Sequence, residues 1–464
     1  MKPVLFTLSF LLIIISSGYT RELCIAEINF EGNDRTRESV IHRELTFQKG
    51  DCFQNESSLN EAIKNSSRNL NNTSLFVEID HSVETNEPNS LDAVVNFTFR
   101  ERWYIFPEPV FELSDRNFNE WWDTHNRDLS RVTYGLRVKD YNFRGNKEEL
   151  VVSAETGYTN FLELSYRTPA IDNARNWGLK THLNYRTHKD IAYGISNNQL
   201  NHFDDKDILQ KRYQTGISLL YRGGMNFYQS ISLNFNRFEV ADALTSYNPQ
   251  YLDPFNESTE HFYGELAYEA DYDKRDRVDY PLEGYRFKGG FSVKKTNNRL
   301  QPIPSVNFET EGYYNPAGNF FLAAGLKGRA TLTDNLPFIH KEELGYGRNF
   351  VRGYEYYVMR GNNFGIGKIE AKQKLFETRL DFSSWNPISQ FQVIPVELFF
   401  KLHSDHGYMN SHNNRNFNSL ENTLLHGYGA GIDFVTFYDN VLRIEYSMTN
   451  TGNSGFFVHA RRGI

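Results

Sequence analysis

From Trp103 to the end of the chain, segments of about ten residues alternate apolar and polar side chains between turn residues. Phe227, Ile231, Leu233 and Phe235 share one face of such a segment; Tyr228, Ser230, Ser232, Asn234 and Asn236 make the other. Leu442, Ile444 and Tyr446 alternate with Arg443, Glu445 and Ser447, and Val396, Leu398, Phe400 and Leu402 with Glu397, Phe399, Lys401 and His403. A period of two sends successive side chains to opposite faces of a strand, so each segment presents one face to an apolar medium and one to a polar medium. About sixteen segments of this kind can be counted, and no helical stripe interrupts them.

The connections carry a second pattern. Long polar stretches fall at 114–130, 188–208, 238–260, 332–364 and 404–424, with shorter links at 141–147, 222–225, 315–319 and 437–440. In an up-and-down array all five long stretches lie at one end. A soluble two-sheet protein has no reason to segregate loop length this way, whereas an outer-membrane barrel has long external loops and short periplasmic turns. The mean hydropathy of −0.59 then excludes helical spans and not the membrane, because half of every strand faces a wet lumen. The formal charge of −8 and the pI near 5.9 give no overall attraction to nucleic acid. The 15% aromatic content fits a lipid face with interfacial girdles.

Ahead of the array, Met1-Lys2-Pro3 and an apolar run from Val4 to Ile15 lead to Ser16-Ser17-Gly18, the form of an export signal over residues 1–20. The run is shorter than the ~20 apolar residues of a spanning helix. Residues 23–102 read as a small α+β domain of order β-α-α-β-β. A strand at Ile25–Phe30 ends at Gly32-Asn33, and a helix covers Thr36–Leu45. A second helix, capped by Ser58 with Glu61 three residues on, buries Leu59, Ala62, Ile63 and Leu70; strands at Phe76–Val83 and Leu91–Phe99 follow. The two cysteines, Cys24 and Cys52, both lie in this domain. In an oxidising compartment they can form a bridge, worth ~3–4 kcal/mol on the chain-entropy argument, or remain two buried thiols; both readings stand.

Three motifs, taken in order, carry a resemblance. Val351-Arg352-Gly353-Tyr354 resembles the signature loop of the BamA/TamA-type outer-membrane assembly and translocation family. Asp273-Lys274-Arg275-Asp276 with Pro281 and Gly284 is similar to that family's periplasmic turn, Arg275-Asp276…Pro281-x-x-Gly284. Ile28–Asn33 and Asn69–Phe76 resemble one POTRA domain. The fold implied is mostly β: a sixteen-stranded transmembrane barrel over 103–464, preceded by one POTRA-like domain over 23–102. The resemblance also implies that the signature-loop arginine pairs with the acid of Ser404-Asp405-His406-Gly407. Strand phase agrees. Asp405 shares the lumen face with Glu397, Lys401 and His403, and Glu370 lies inward with Lys368, Lys372 and Lys374. A loop folded into the lumen would bring Arg352 to Asp405 and Glu370, where the planar guanidinium can hold a carboxylate by two parallel hydrogen bonds. Gly353 would permit the backbone turn.

Two features depart from the family. The chain ends Arg461-Arg462-Gly463-Ile464 where relatives commonly end in an aromatic residue, and it has room for one POTRA domain. No catalytic constellation emerges. His403 and His406 would point to opposite faces of a strand, and Gly345-Tyr346-Gly347 and Gly427-Tyr428-Gly429 lack the setting of a phosphate loop. The expectation is therefore a non-enzymatic protein with no cofactor. Its partners would be outer-membrane lipid, client outer-membrane or exported proteins and accessory assembly proteins, with no nucleic acid. The resemblance implies strand capture by the POTRA edges and a barrel seam between about Trp103–Leu113 and Gly455–Arg462. A passive pore or surface-exposed protein, and dedicated secretion of one partner, are the alternatives.

Overall fold

The computed structural model describes residues 22–85, 92–113, 128–297, 301–345, 347–411, 418–436 and 440–460. The export signal and the four C-terminal residues lie outside these. The front domain runs β1 (Leu23–Glu31), α1 (Glu38–Glu44), β2 (Cys52–Phe53), α2 (Glu56–Asn71), β3 (Phe76–Thr85) and β4 (Asp92–Glu101), with sheet order β2-β1-β4-β3. The helices bury Val40, Ile41, Leu59, Ile63 and Leu70 against Ile25, Val95 and Phe97 of the sheet. Two details differ from the sequence expectation. The cap of α2 is Asn55, whose side chain accepts from the Ser58 N–H while Ser58 reaches back to the Asn55 N–H; Ser58 is the inner half of the capping box rather than the cap. And β2 adds a strand too short to leave a periodic signal. It puts Cys52 directly opposite Cys24, and the two sulfurs are bonded.

The array then begins: β5 (Ile105–Leu113), β6 (Val132–Phe143), β7 (Glu148–Gly157), β8 (Phe161–Thr168) and β9 (Trp177–His188). A hairpin, β10 (Asp190–Ser196) and β11 (Gln199–Asp204), precedes β12 (Gln210–Arg222) and β13 (Phe227–Val240). A short helix α3 (Asp242–Tyr247) leads to β14 (Glu260–Asp273), β15 (Gly284–Thr296), β16 (Ile303–Ala317) and β17 (Phe320–Thr331). The small ladder β18 (Glu342–Leu344) with β19 (Met359–Gly361) precedes β20 (Asn363–Asp381), β21 (Val393–Asn410), β22 (Leu424–Thr436), β23 (Asn440–Thr449) and β24 (Ser454–Ala460). Leaving out the two hairpins inside the long connections, the strands pair antiparallel in chain order as one sixteen-stranded sheet.

Of the long connections, the three wholly or almost wholly described, 188–208, 238–260 and 332–364, fall at the end away from the front domain, while the 382–392 connection lies at the front-domain end. Outside-facing Ile231, Leu233, Phe235, Ile369, Leu402 and Ile444 are exposed, and inward-facing Lys372, Lys401, Asp405, Asp433 and Glu445 are buried. No described helix is long and apolar enough to cross a membrane. The sheet curls until its halves meet. The Asn198 side chain, between β10 and β11, accepts from the Leu420 N–H beyond β21 at 3.0 Å, and the Tyr280 hydroxyl, between β14 and β15, donates to Asp433 of β22 at 2.9 Å. The expected seam, however, is unzipped: among the described residues no ladder joins β5 to β24. Part of the reason is covalent, since β5 contains Pro107 and Pro109, which have no N–H to give.

The front domain sits across the short-turn end. Arg35 pairs with Asp140 at 2.6 Å, the Arg37 N–H donates to the Gly145 carbonyl at 3.0 Å, and Tyr104 and Asn142 converge on the Thr36 hydroxyl. Farther along the rim, Arg222 grips Glu44 of α1 with two hydrogen bonds of 2.5 and 2.7 Å. Burial pushes the Glu44 carboxyl up, but the hydrogen bonds and charge of Arg222 outweigh it and hold the group below the usual glutamate range. A depressed carboxylate stabilises docking above the free-glutamate pKa of about 4.3 and loses that contribution as pH falls through its own lower value. Glu44→Gln should therefore weaken docking by about 2–5 kcal/mol at neutral pH. Hydrogen exchange across α1 and the 223–226 turn should show the loss, and parent and variant should converge only as pH falls below the lowered Glu44 value.

Candidate functional site

The connection from β17 to β20 folds back into the lumen. Val351 and Tyr354 pack among Leu344, Ile366, Met409 and Leu425, and the Tyr354 hydroxyl donates to Asn450. Gly353 has φ +90°, a conformation glycine adopts without strain. On the facing wall Gly427 leaves room for the chain, because a Cβ there would overlap the Arg352 carbonyl oxygen.

This anchoring delivers Arg352, 3% exposed, into a ring of carboxylates. Its Nε and Nη2 donate to the two oxygens of Asp405 at 2.9 and 2.5 Å, and its backbone N–H adds a third bond to Asp405 at 3.2 Å. Nη1 donates to Glu370 and, at 3.2 Å, to Glu445. The loop arginine thus ties together β20, β21 and β23. Strand phase and motif had pointed to Asp405 and Glu370. Glu445 was missed although it lies on the inward phase of β23; nothing local tells which inward acid faces the loop.

The network continues towards the short-turn end. The Lys401 ammonium lies 2.9 Å from Glu445 and 2.8 Å from Asp433, and Lys372 lies 3.1 Å from Glu370 with its charge over the Tyr280 ring. Asp433 in turn receives the Tyr280 hydroxyl. Tyr280 belongs to the second motif, whose residues form a self-braced turn. Arg275 holds Asp273 by two bonds of 2.8 and 2.6 Å and reaches Glu311 at 3.0 Å. Asp276 accepts the Leu282 and Glu283 N–H groups, Pro281 is buried, and Gly284 takes φ +98°. Cys24 and Cys52 lie apart from this site, in the front domain. His403 points inward to Ser447 at 3.1 Å, while His406 is outward and stacks on His426. Among the described residues no cluster of three or more metal-ligand side chains occurs.

Residues 24–102 match the family described as POTRA, the surface antigen variable number repeat. The solved BamA of Haemophilus ducreyi lacking POTRA domains 1–3 superposes with a TM-score of 0.52 at 14% identity, over 95% of this chain and 84% of that one. The chain has the BamA-type fold. CdiB from Escherichia coli is similar at TM-score 0.53 and 10% identity, over 94% of this chain and 75% of that one. Comparison with curated proteins found no sequence match. In this chain one domain matching the POTRA model precedes the sixteen-stranded sheet.

Removing the guanidinium would leave three buried acids with too little positive charge. Arg352→Ala is expected to cost about 3–5 kcal/mol and lower the temperature at which the folded barrel converts to the unfolded form in a heated-gel assay. Arg352→Lys, which keeps the charge without the two-pronged grip, should lose less. Unchanged heat stability in both variants would sink the tether.

Proposed function

We propose that the chain resides in the outer membrane, with its POTRA domain in the periplasm, and assists insertion or translocation of client proteins there. The observation that carries this reading is the unpaired seam. In hydrocarbon an unpaired backbone group costs several kcal/mol, so an open edge favours whatever strand can satisfy it. A second open edge lies below. In the sheet order β2-β1-β4-β3 the long outer strand is β3, whose Glu78 faces Arg379 of the β20–β21 hairpin at 3.6 Å. An extended client segment can add to β3 by main-chain hydrogen bonds before it meets the seam. Neither step needs a nucleotide, a metal or a catalytic residue. A passive pore accords less well with a lumen crossed by a buried loop and its ion pairs.

Depletion of the protein followed by quantitation of outer-membrane proteins tests the reading. Broad loss of barrel proteins is the expected result. Loss of a single exported protein would instead assign dedicated secretion, and an unchanged proteome with altered solute uptake would assign a pore.

A further inference from the structure

In the part of the lumen farthest from the front domain, where β9 ends and the 188–208 connection begins, two arginines face each other without an acid. Arg186 of β9 and Arg212 of β12 are direct partners in the antiparallel ladder. Both lie on the inward phase, since their neighbours Tyr185 and Tyr213 meet ring to ring on the outer face. Directly opposed residues have Cα atoms about 5 Å apart, and like charges so placed repel. Each guanidinium lies over an inward aromatic ring, Arg186 over Phe161 at 4.0 Å and Arg212 over Phe238 at 4.9 Å. A ring face attracts a cation without neutralising it. Among the described residues neither guanidinium makes a hydrogen bond or an ion pair, and the Arg212 Nε is buried with no partner.

The acids on this wall do not answer the charge. Glu155 holds Arg137 at 2.8 Å, and Glu163, the next inward residue of β8 after Phe161, pairs with neither arginine. Elsewhere in the lumen Lys372 and Lys401 are opposed in the same way, but there Glu370, Asp433 and Glu445 each lie within 3.1 Å of an ammonium. The fold thus neutralises one opposed pair of cations from within and leaves the other to an outside group.

We propose that Arg186 and Arg212 form a binding site for a tetrahedral dianion, either inorganic phosphate or the phosphate of a monoester. A carboxylate would cancel one charge and fill one fork, whereas a phosphate dianion cancels both and offers a pair of oxygens to each guanidinium. His188, the next inward residue of β9, adds a donor beside them. The Phe161 and Phe238 rings hold the two forks in place before the anion arrives, so little side-chain freedom is lost on binding. The site is independent of the insertion reading.

The full-length protein, folded in detergent micelles, is titrated calorimetrically at pH 8 and constant ionic strength with inorganic phosphate, with glycerol phosphate and with acetate. Saturable binding of one phosphate per chain is expected, with acetate at least about tenfold weaker. Arg186→Gln or Arg212→Gln should weaken phosphate binding about ten- to a hundredfold. Arg167→Gln, which removes an inward arginine already paired with Glu149 at 2.8 Å, should leave it unchanged. Tighter binding of glycerol phosphate than of phosphate would assign a monoester as the ligand, and equal binding the free anion. Thermal unfolding followed by tryptophan fluorescence gives a second measure. Phosphate should raise the midpoint of the parent above its value in sodium chloride of equal ionic strength, and should not raise that of Arg212→Gln. Without phosphate, Arg212→Gln should melt no lower than the parent, because it relieves a repulsion. Absence of saturable binding, acetate binding as tight as phosphate, binding that survives loss of either arginine, or an equal loss in Arg167→Gln would each overturn the proposal.

Discussion

A strand immersed in lipid has to pair the backbone groups on both of its edges, because no water is present to take them. The antiparallel order of the sheet satisfies this between every pair of neighbours from β5 round to β24, and the side-chain alternation follows from it. Once the backbone is committed to ladders, the side chains can only point outward to lipid or inward to the lumen. The apolar outer band and the charged interior are thus two consequences of one constraint. Among the described residues the constraint is left unmet between β5 and β24, which is also the place where function is proposed.

The interior had its own problem to solve. Lys372, Lys401, Arg352, Glu370, Asp405, Asp433 and Glu445 are all buried, and charges removed from water are tolerated only when paired. A loop folded inward supplies one of the cations. The arginine is suited to this because its fork meets two carboxylate oxygens at once and still has donors for Glu370 and Glu445. Glycines at Gly353 and Gly427 are the steric condition for bringing that fork close enough. Apolar packing of Val351 and Tyr354 then holds the loop where the charges require it.

What was legible in the sequence is what alternation encodes: the strands, their faces, the segregated loop lengths, and an inward Asp405 and Glu370 that a motif arginine could meet. What was not legible depends on contacts between distant segments. Lys401, Asp433 and Glu445 are inward by phase, but so are many charged residues, and only the curl of the sheet selects these three. The Cys24–Cys52 pairing was undecided because the strand that aligns it is two residues long. The ladders β10–β11 and β18–β19 lay unseen inside stretches that read as polar loop: Ile191, Leu344 and Met359 are buried, but strands of three to seven residues are too short to show a clear period. Pro107 and Pro109 were visible throughout, yet their meaning depends on which ladder their nitrogens face, and that is a matter of register.

The cross-braces are unevenly distributed around the sheet. On one side, Arg352 ties β20, β21 and β23 together, and Lys401 and Asp433 add β22, so the wall up to β23 is cross-braced from within. On the other side, Tyr104, Asp140 and Asn142 hold the start of β5 and the foot of β6 to the POTRA domain. β24 lies between these braced walls, held by its ladder to β23, by Phe457 on the Tyr356 ring and by His459 near Phe350, Glu355 and Glu445. The same buried charges that brace the inner wall thus stop one strand short of the unpaired edge.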